Sequence, residues 1–341
     1  MREPKQLALV GAGGWGRNIA RSLRRLRGAE LAVVCDSDPG VLDRLERQEP
    51  LPRGTERVLV FEHLLKDARL DAIVVATPPQ THHTIALAAL RAGKDVLVEK
   101  PLTLRPEHAD ELVRVAEDLG RVLMVGHLLV YHPGVVQLEE ILGRGEVGDI
   151  RYVYSQRVNL GVVRNQENAL WSLAPHDVAV TLRLLGESPE RVTAQGAAYL
   201  QRGIEDVAFL QMFFASGRMA SVHVSWLDPH KERKLTVVGS RKMAVFDDMQ
   251  PTEKLRVYDR GVDVPDYLPY GEALTLRFGE IRIPRVEANE PLVLECQHFV
   301  DRLHDRERPR SDGRDGAAVV RVLAAASESL CRGGAPVTIE G

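Results

Sequence analysis

The residues best equipped for chemistry in this chain stand at the ends of short apolar runs. "DVLVEKP" sets Glu99 and Lys100 directly after Val96, Leu97 and Val98, then stops the run with Pro101. An ammonium at such a strand end can hold a hydroxyl and stabilise negative charge developing on oxygen. Burial and a cationic neighbour would lower its pKa, which suits proton traffic. Taken alone, the same lysine reads as a surface residue paired with Glu99. The peptide before Pro101 is either cis or trans, and the residue types do not decide which.

A second group is "LALVGAGGWGRNIARSL", where Gly11, Gly13 and Gly16 form G-x-G-x-x-G between an apolar run and a helical pattern. These glycines allow a tight turn, close approach of the backbone to a pyrophosphate, and helix–strand packing. The helix that follows turns its free N–H groups and positive dipole end toward the phosphates. Gly14 and Trp15 belong to the same cofactor-binding turn. Asp36, in "VVCDSDP", lies twenty positions after Gly16, where a carboxylate grips the adenosine ribose hydroxyls. A carboxylate there repels a 2′-phosphate, so NAD(H) is expected over NADP(H). In "ATPPQTHH", Thr77, Pro78 and His82 are candidates to line the ribose and nicotinamide. The same loop also reads as a rigid turn with Gln80 or Thr81 near a helix N-cap. Glu99 and Lys100 complete the cofactor set.

These groups need a scaffold, and the hydrophobic pattern supplies one. Strands are expected at Leu7–Val10, Leu31–Cys35, Arg57–Val60, Asp71–Ala76, Asp95–Val98 and Arg121–Val125, with helices at Gly14–Arg27, Thr81–Arg91 and Pro106–Leu119. Continuous runs such as "DAIVVAT" mark strands buried on both faces, and the alternation predicts a doubly wound parallel sheet. After about residue 130 the texture changes. In "RMASVHVSWL", Ala220, Val222, Val224 and Trp226 alternate with Ser221, His223 and Ser225, and "KLTVVGSRKMAVFDD" predicts a hairpin near Gly239-Ser240. A mostly antiparallel sheet with one covered face follows. Helices at Pro175–Leu185, Leu292–Leu303 and Gly316–Leu330 would cover it. Two domains are expected, 1–126 and 127–341.

With 341 residues, 44% hydrophobic and 27% charged, the chain suits two globular domains. Its 45 Lys+Arg against 48 Asp+Glu argue against a nucleic-acid partner. Cys35, Cys296 and Cys331 have no paired spacing, so neither a disulfide framework nor structural zinc is expected. His127 and His132 read as structural, since no cysteine or carboxylate completes a metal site. No apolar run suggests a membrane span or a signal peptide, and a cytoplasmic location is expected.

In this order, "GAGGWGRN", "VVATPPQTHH", "VLVEKPLTL" and "VGHLLVYHP" resemble the Gfo/Idh/MocA family of NAD(P)-dependent oxidoreductases. The resemblance runs over essentially the whole chain, because "PRSDGRDGAAVVRVLAAASESL" is similar to the family's closing segment. It implies an N-terminal Rossmann domain joined to a C-terminal α/β domain with a large open antiparallel sheet. It also implies hydride transfer at a ring carbon of a sugar or inositol, and homodimers or homotetramers built through that sheet. By resemblance Lys100 corresponds to the family's catalytic lysine. The family's second signature is an Asp, three residues, then a His; in "ENALWSLAPHDVAVTLRLLG" His176 falls on the histidine, while Ser172 stands at the Asp position. His176 is thereby implied as the base, with Ser172 a substrate contact and the adjacent Asp177 a candidate to orient the ring. Otherwise His176 and Pro175 read as helix-start residues.

Upstream, "RVNLGVVRNQENALWS" offers Arg157, Asn159, Arg164, Asn165, Glu167, Asn168 and Trp171 to a sugar or a diphosphate beyond it. An arginine pair suits phosphate because guanidinium forks bind it bidentately. The segment is similar to that of relatives that oxidise the C3 hydroxyl of nucleotide-activated sugars in surface-polysaccharide pathways. A solvated loop is the plainer alternative. An inositol or free-sugar dehydrogenase, or a catalytically silent NAD-binding sensor, is the competing expectation for the whole chain.

Overall fold

The computed structural model describes residues 3–161, 163–263 and 275–339. The first elements in chain order are β1 (Lys5–Val10), α1 (Gly14–Leu23), β2 (Ala29–Cys35), α2 (Pro39–Gln48), β3 (Glu56–Val58) and α3 (Glu62–Lys66). They continue with β4 (Ala72–Val75), α4 (Pro79–Arg91), β5 (Asp95–Glu99), α5 (Pro106–Asp118) and β6 (Leu123–Gly126). Their strands form one parallel sheet in the order β3-β2-β1-β4-β5-β6. Every residue of β4 is fully buried, as an uninterrupted Ala-Ile-Val-Val run requires of a central parallel strand. Each such branched side chain contributes about 1.5–3 kcal/mol relative to exposure.

A 3₁₀ turn, Leu128–Tyr131, precedes α6 (Pro133–Gly143), β7 (Ile150–Val158), α7 (Ala169–Leu185), β8 (Pro189–Ala197), β9 (Val207–Phe214) and β10 (Met219–Ser225). Then come β11 (Glu232–Gly239), β12 (Met243–Asp247), β13 (Leu255–Asp263), β14 (Thr275–Arg282), α8 (Pro291–Asp305), α9 (Gly313–Cys331) and β15 (Val337–Thr338). The second sheet runs β14-β13-β12-β11-β7-β10-β9-β8-β15. It is antiparallel except where β10 lies parallel to β7. Ala220, Val222, Val224 and Trp226 are all buried, as the alternation predicts, and α7 packs over β7, β9 and β10. The hairpin turns between Gly239 and Met243 as expected.

Two compact units result: Met1–Tyr131 with Asn289–Ala324, and His132–Ala288 with Ala325–Gly341. The first break, at Tyr131/His132, lies close to the cut expected at 126/127, and residues 289–324 return to the first unit. The cause is α8, which packs on α1 and the 3₁₀ turn of the first unit instead of covering the second sheet. Helices α2, α3 and α6 were not expected from periodicity, although Asp38-Pro39 is an N-cap and first-turn signature: the Asp38 side chain accepts from Gly40 N–H at 2.7 Å. Among the described residues no helix is long and apolar enough to cross a membrane.

Candidate active site

The carboxyl ends of β1, β2, β4 and β5 carry the candidate residues of the first unit. Gly11 has φ +93°, and a Cβ there would lie 2.6 Å from the Ala76 carbonyl oxygen. A Cβ on Gly16 would meet the Gly11 carbonyl at 2.0 Å, so helix α1 can approach β1 this closely only without a side chain. Gly13 and Gly14 instead face open space. Gly13 caps α1 with no side-chain hydrogen bond and no acidic residue follows in the first turn. The loop thus leaves N–H groups and a positive helix end available to an anion.

Asp36 stands at the end of β2 and accepts from Ala12 N–H at 2.8 Å and from Asp38 N–H at 3.0 Å. The carboxylate braces the glycine loop and keeps unused lone pairs for ribose hydroxyls. Among these residues the fit to a dinucleotide is good: an open glycine turn, an uncapped helix and a ribose-type carboxylate in succession.

Trp15 is exposed, and its indole N–H donates to Glu99 Oε1 at 2.6 Å, tying the first turn of α1 to the end of β5. Glu99 Oε2 also accepts from Lys100 N–H at 3.2 Å. Burial raises the Glu99 pKa, against the lowering pull of the Trp15 N–H and the Lys100 charge. Gly126 pairs with Glu99 across the sheet, and a Cβ there would come within 3.1 Å of the Glu99 carboxyl group. Lys100 is half-buried at the strand end, and the Lys100–Pro101 peptide is cis.

His82 departs from expectation. It is 1% exposed, Nδ1 lies 2.8 Å from the Pro101 carbonyl oxygen and Nε2 lies 2.9 Å from that of Thr77. Both ring nitrogens face backbone carbonyls, and a neutral ring donates to one of them, so the imidazole is directed at the loop after β4 and the turn after Lys100. Burial lowers its pKa first, the two carbonyls oppose this, and Lys100 adds to the lowering. Thr77 and Pro78 remain at the rim, Thr77 accepting from the Thr81 hydroxyl at 2.7 Å. Helix α4 begins at Pro79, ahead of the Gln80–Thr81 start expected.

In the second unit the polar segment resolves differently. Asn168 is the N-cap of α7; its Oδ1 accepts from Trp171 N–H at 3.1 Å and its amide donates to Glu205 at 2.6 Å. The Trp171 indole N–H donates to Ser327 at 2.8 Å. Arg157 is buried and donates to both carboxylate oxygens of Asp177. Its fork is therefore not free for a phosphate, and Asp177 holds an arginine instead of orienting the His176 ring. Arg164 is exposed and pairs with Glu167 at 3.0 Å, while Asn159 is half-buried just past β7. Pro175 and His176 lie inside α7, which starts six residues before Pro175, so neither is a helix-start residue. Ser172 precedes His176 by four residues, which puts the two on one face of α7.

Glu295 has no place in the sequence reading, and His127 is expected there only as a structural residue. Glu295, on α8, is buried with its Oε1 unpaired among the described residues; burial and then the Glu99 charge raise its pKa well above the usual carboxylate range. His127, after β6, is buried with neither ring nitrogen bonded among the described residues. No spacing signal marks either one. His132, by contrast, caps α6 through Gly134 N–H at 3.0 Å and sits 3.3 Å from Asp248, a structural role as expected.

Comparison with known proteins decides the family. Residues 5–127 match the Oxidoreductase family, NAD-binding Rossmann fold, and residues 135–245 match the GFO/IDH/MocA C-terminal domain. The chain belongs to the Gfo/Idh/MocA oxidoreductase family. As a member it is an NAD-dependent dehydrogenase. It is 29% identical over 260 residues to UDP-N-acetylglucosamine 3-dehydrogenase of Acidithiobacillus ferrooxidans, covering 76% of this chain and 77% of that one. It is 28% identical over 350 residues to inositol 2-dehydrogenase of Rubrobacter xylanophilus, covering 98% and 93%. Its fold superposes on GenD2 from gentamicin A biosynthesis, solved with NAD, at TM-score 0.82 and 26% identity, over 100% of this chain and 98% of that one.

Proposed function

We propose that this dehydrogenase oxidises a secondary alcohol of a sugar, the C3 hydroxyl of a nucleotide-activated sugar being the foremost candidate. The observation that carries the reading is Lys100 at the carboxyl end of β5, tied through Glu99 and Trp15 to an open glycine loop. NAD+, when bound, supplies the hydride acceptor. Lys100 holds the substrate oxygen and stabilises the charge that develops on it. His176 accepts the hydroxyl proton, the task an imidazole performs near neutral pH. Ser172, one turn earlier on α7, contacts the substrate beside it. Reduction of the ketone uses the same groups in reverse. Asn159 and Arg164 are the segment's remaining candidates for the sugar or its phosphates.

Similarity to the UDP-N-acetylglucosamine 3-dehydrogenase supports the nucleotide sugar. One observation favours a smaller polyol instead: the Arg157–Asp177 pair removes half of the arginine clamp a diphosphate would use. Inositol or a free sugar is therefore the second reading, supported by likeness to the inositol 2-dehydrogenase.

The test is NADH production with panels of UDP-sugars, inositols and free sugars. Lys100→Met should lower kcat about a hundred- to ten-thousandfold while NADH binding persists. Unaltered turnover would remove Lys100 from the reaction, and absence of any turnover would leave an NAD-binding sensor. We also read the open face of the second sheet as the surface through which copies pair. Tyr152 and Tyr154 on β7, Met219 on β10 and Phe209 on β9 are exposed there side by side. Sedimentation giving a monomer would reject that pairing.

A further inference from the structure

The strand ends of the first sheet form an ordered series. Following the sheet from β2 through β1, β4 and β5 to β6, the first residues past the carboxyl ends are Asp36, Gly11, Ala76 (then Thr77), Lys100 and His127. A dinucleotide with its adenosine ribose at Asp36 and its pyrophosphate at the glycine loop extends toward β4 and β5. The register pairs Glu99 with Gly126, so Lys100 and His127 are the next residues on strands about 4.8 Å apart. His127 thus stands beyond Lys100, on the side away from the glycine loop. The bare Gly126 lets its strand crowd the Glu99 carboxyl group and brings His127 to the same rim.

The imidazole itself is anomalous. His127 is 1% exposed, and neither Nδ1 nor Nε2 has a hydrogen-bond partner among the described residues. Buried polar groups are bonded in the great majority of cases, and each exception calls for a cause. Two other histidines show the ordinary outcome: His82 has both nitrogens against backbone carbonyls, one of which it can donate to, and His132 caps α6. Burial first, and the Lys100 charge second, push the His127 pKa down to about 3. The ring is therefore neutral across the physiological range and keeps one donor and one acceptor. That is the complement of a hydroxyl group.

We propose that His127 binds a substrate hydroxyl adjacent to the one that Lys100 holds. The proposal rests on the sugar or polyol reading above. A vicinal diol would then be read by an ammonium and a neutral imidazole standing side by side at neighbouring strand ends.

The test uses the full-length protein, with NAD and the hydroxylated substrate that the wild type turns over best. His127→Leu should raise KM for that substrate about tenfold or more, the effect of deleting one buried hydrogen bond. His127→Asn, which keeps a donor and an acceptor, should recover part of the loss. The NADH dissociation constant, read by tryptophan fluorescence, should move less than about twofold. An unchanged KM with a lowered melting temperature would make His127 a core residue satisfied by water, and the proposal would fall. An NADH constant rising together with KM would assign the ring to the cofactor and equally overturn it. Failure of the reading beneath appears earlier and separately, as a wild type that oxidises none of the hydroxylated compounds; the proposal would fall with it.

Discussion

The rim of the first sheet and the Arg157–His176 segment of the second unit are both rich in polar residues, but they use them in opposite ways. At the rim the polar capacity is left open: Gly13 and Gly14 face empty space, and Asp36 accepts two backbone bonds with lone pairs to spare. In the segment it is consumed by the fold. Arg157 is locked to Asp177, Asn168 caps α7 and reaches Glu205, and Trp171 bonds Ser327. Polar density in a sequence therefore measures binding poorly. What distinguishes the rim is backbone geometry, since a strand–glycine–helix junction exposes N–H groups wherever it forms.

The sharpest way to break this contrast is Arg157→Met. If the arginine is structural, Asp177 at 2% side-chain exposure is left as an unpaired buried charge. Urea denaturation should then show a loss of about 3–5 kcal/mol; a change below about 1 kcal/mol would return Arg157 to the substrate-binding set.

Glu295→Gln probes the ground behind the rim. A carboxyl whose folded pKa is raised keeps its proton while the unfolded chain releases it, so wild-type stability declines as pH climbs above the unfolded value near 4.5. The variant should match the wild type near pH 4 and melt higher at pH 8, by roughly 1.4 kcal/mol per unit of upward shift. Equal melting curves at both pH values would show that Glu295 ionises freely.

Gly13→Ala separates binding from folding. Its Cβ would meet nothing within 4 Å, so the unliganded protein should melt as the wild type does. NADH should bind about tenfold more weakly, because the methyl group stands where the backbone must approach the pyrophosphate. Unchanged NADH affinity would remove this glycine from the cofactor site. The smallest effect belongs to Arg164→Ala: its pair with Glu167 is exposed, and stability should change by less than about 0.5 kcal/mol. A larger loss would show that even this end of the segment is committed to the fold.

Much of the first unit was legible because its signals are local. Uninterrupted Val/Ile runs, glycine spacing and the acid after β2 each report on a few consecutive residues, and each is realised in the parallel sheet. The expected α7 began too late because Pro175 was taken for a first-turn proline, whereas Asn168 caps the helix and the proline sits inside it. His82 shows a different limit of local signals. Its histidine-rich loop does lie at the rim, but only the fold brings the Thr77 and Pro101 carbonyls to its two nitrogens. Helix α8 has an ordinary amphipathic pattern, and nothing in that pattern says which sheet it will cover.

Periodicity and glycine spacing were enough to establish two sheets, a dinucleotide loop and a lysine at a strand end, since each depends on neighbours within one turn or one strand. Which side chains stay available was settled by contacts between residues far apart in the chain. Arg157 meets Asp177, Trp15 meets Glu99, and His127 is buried without a partner among the described residues only after distant segments have packed. A hydrogen bond needs its two atoms within about 3 Å, and separation along the chain carries no information about that distance.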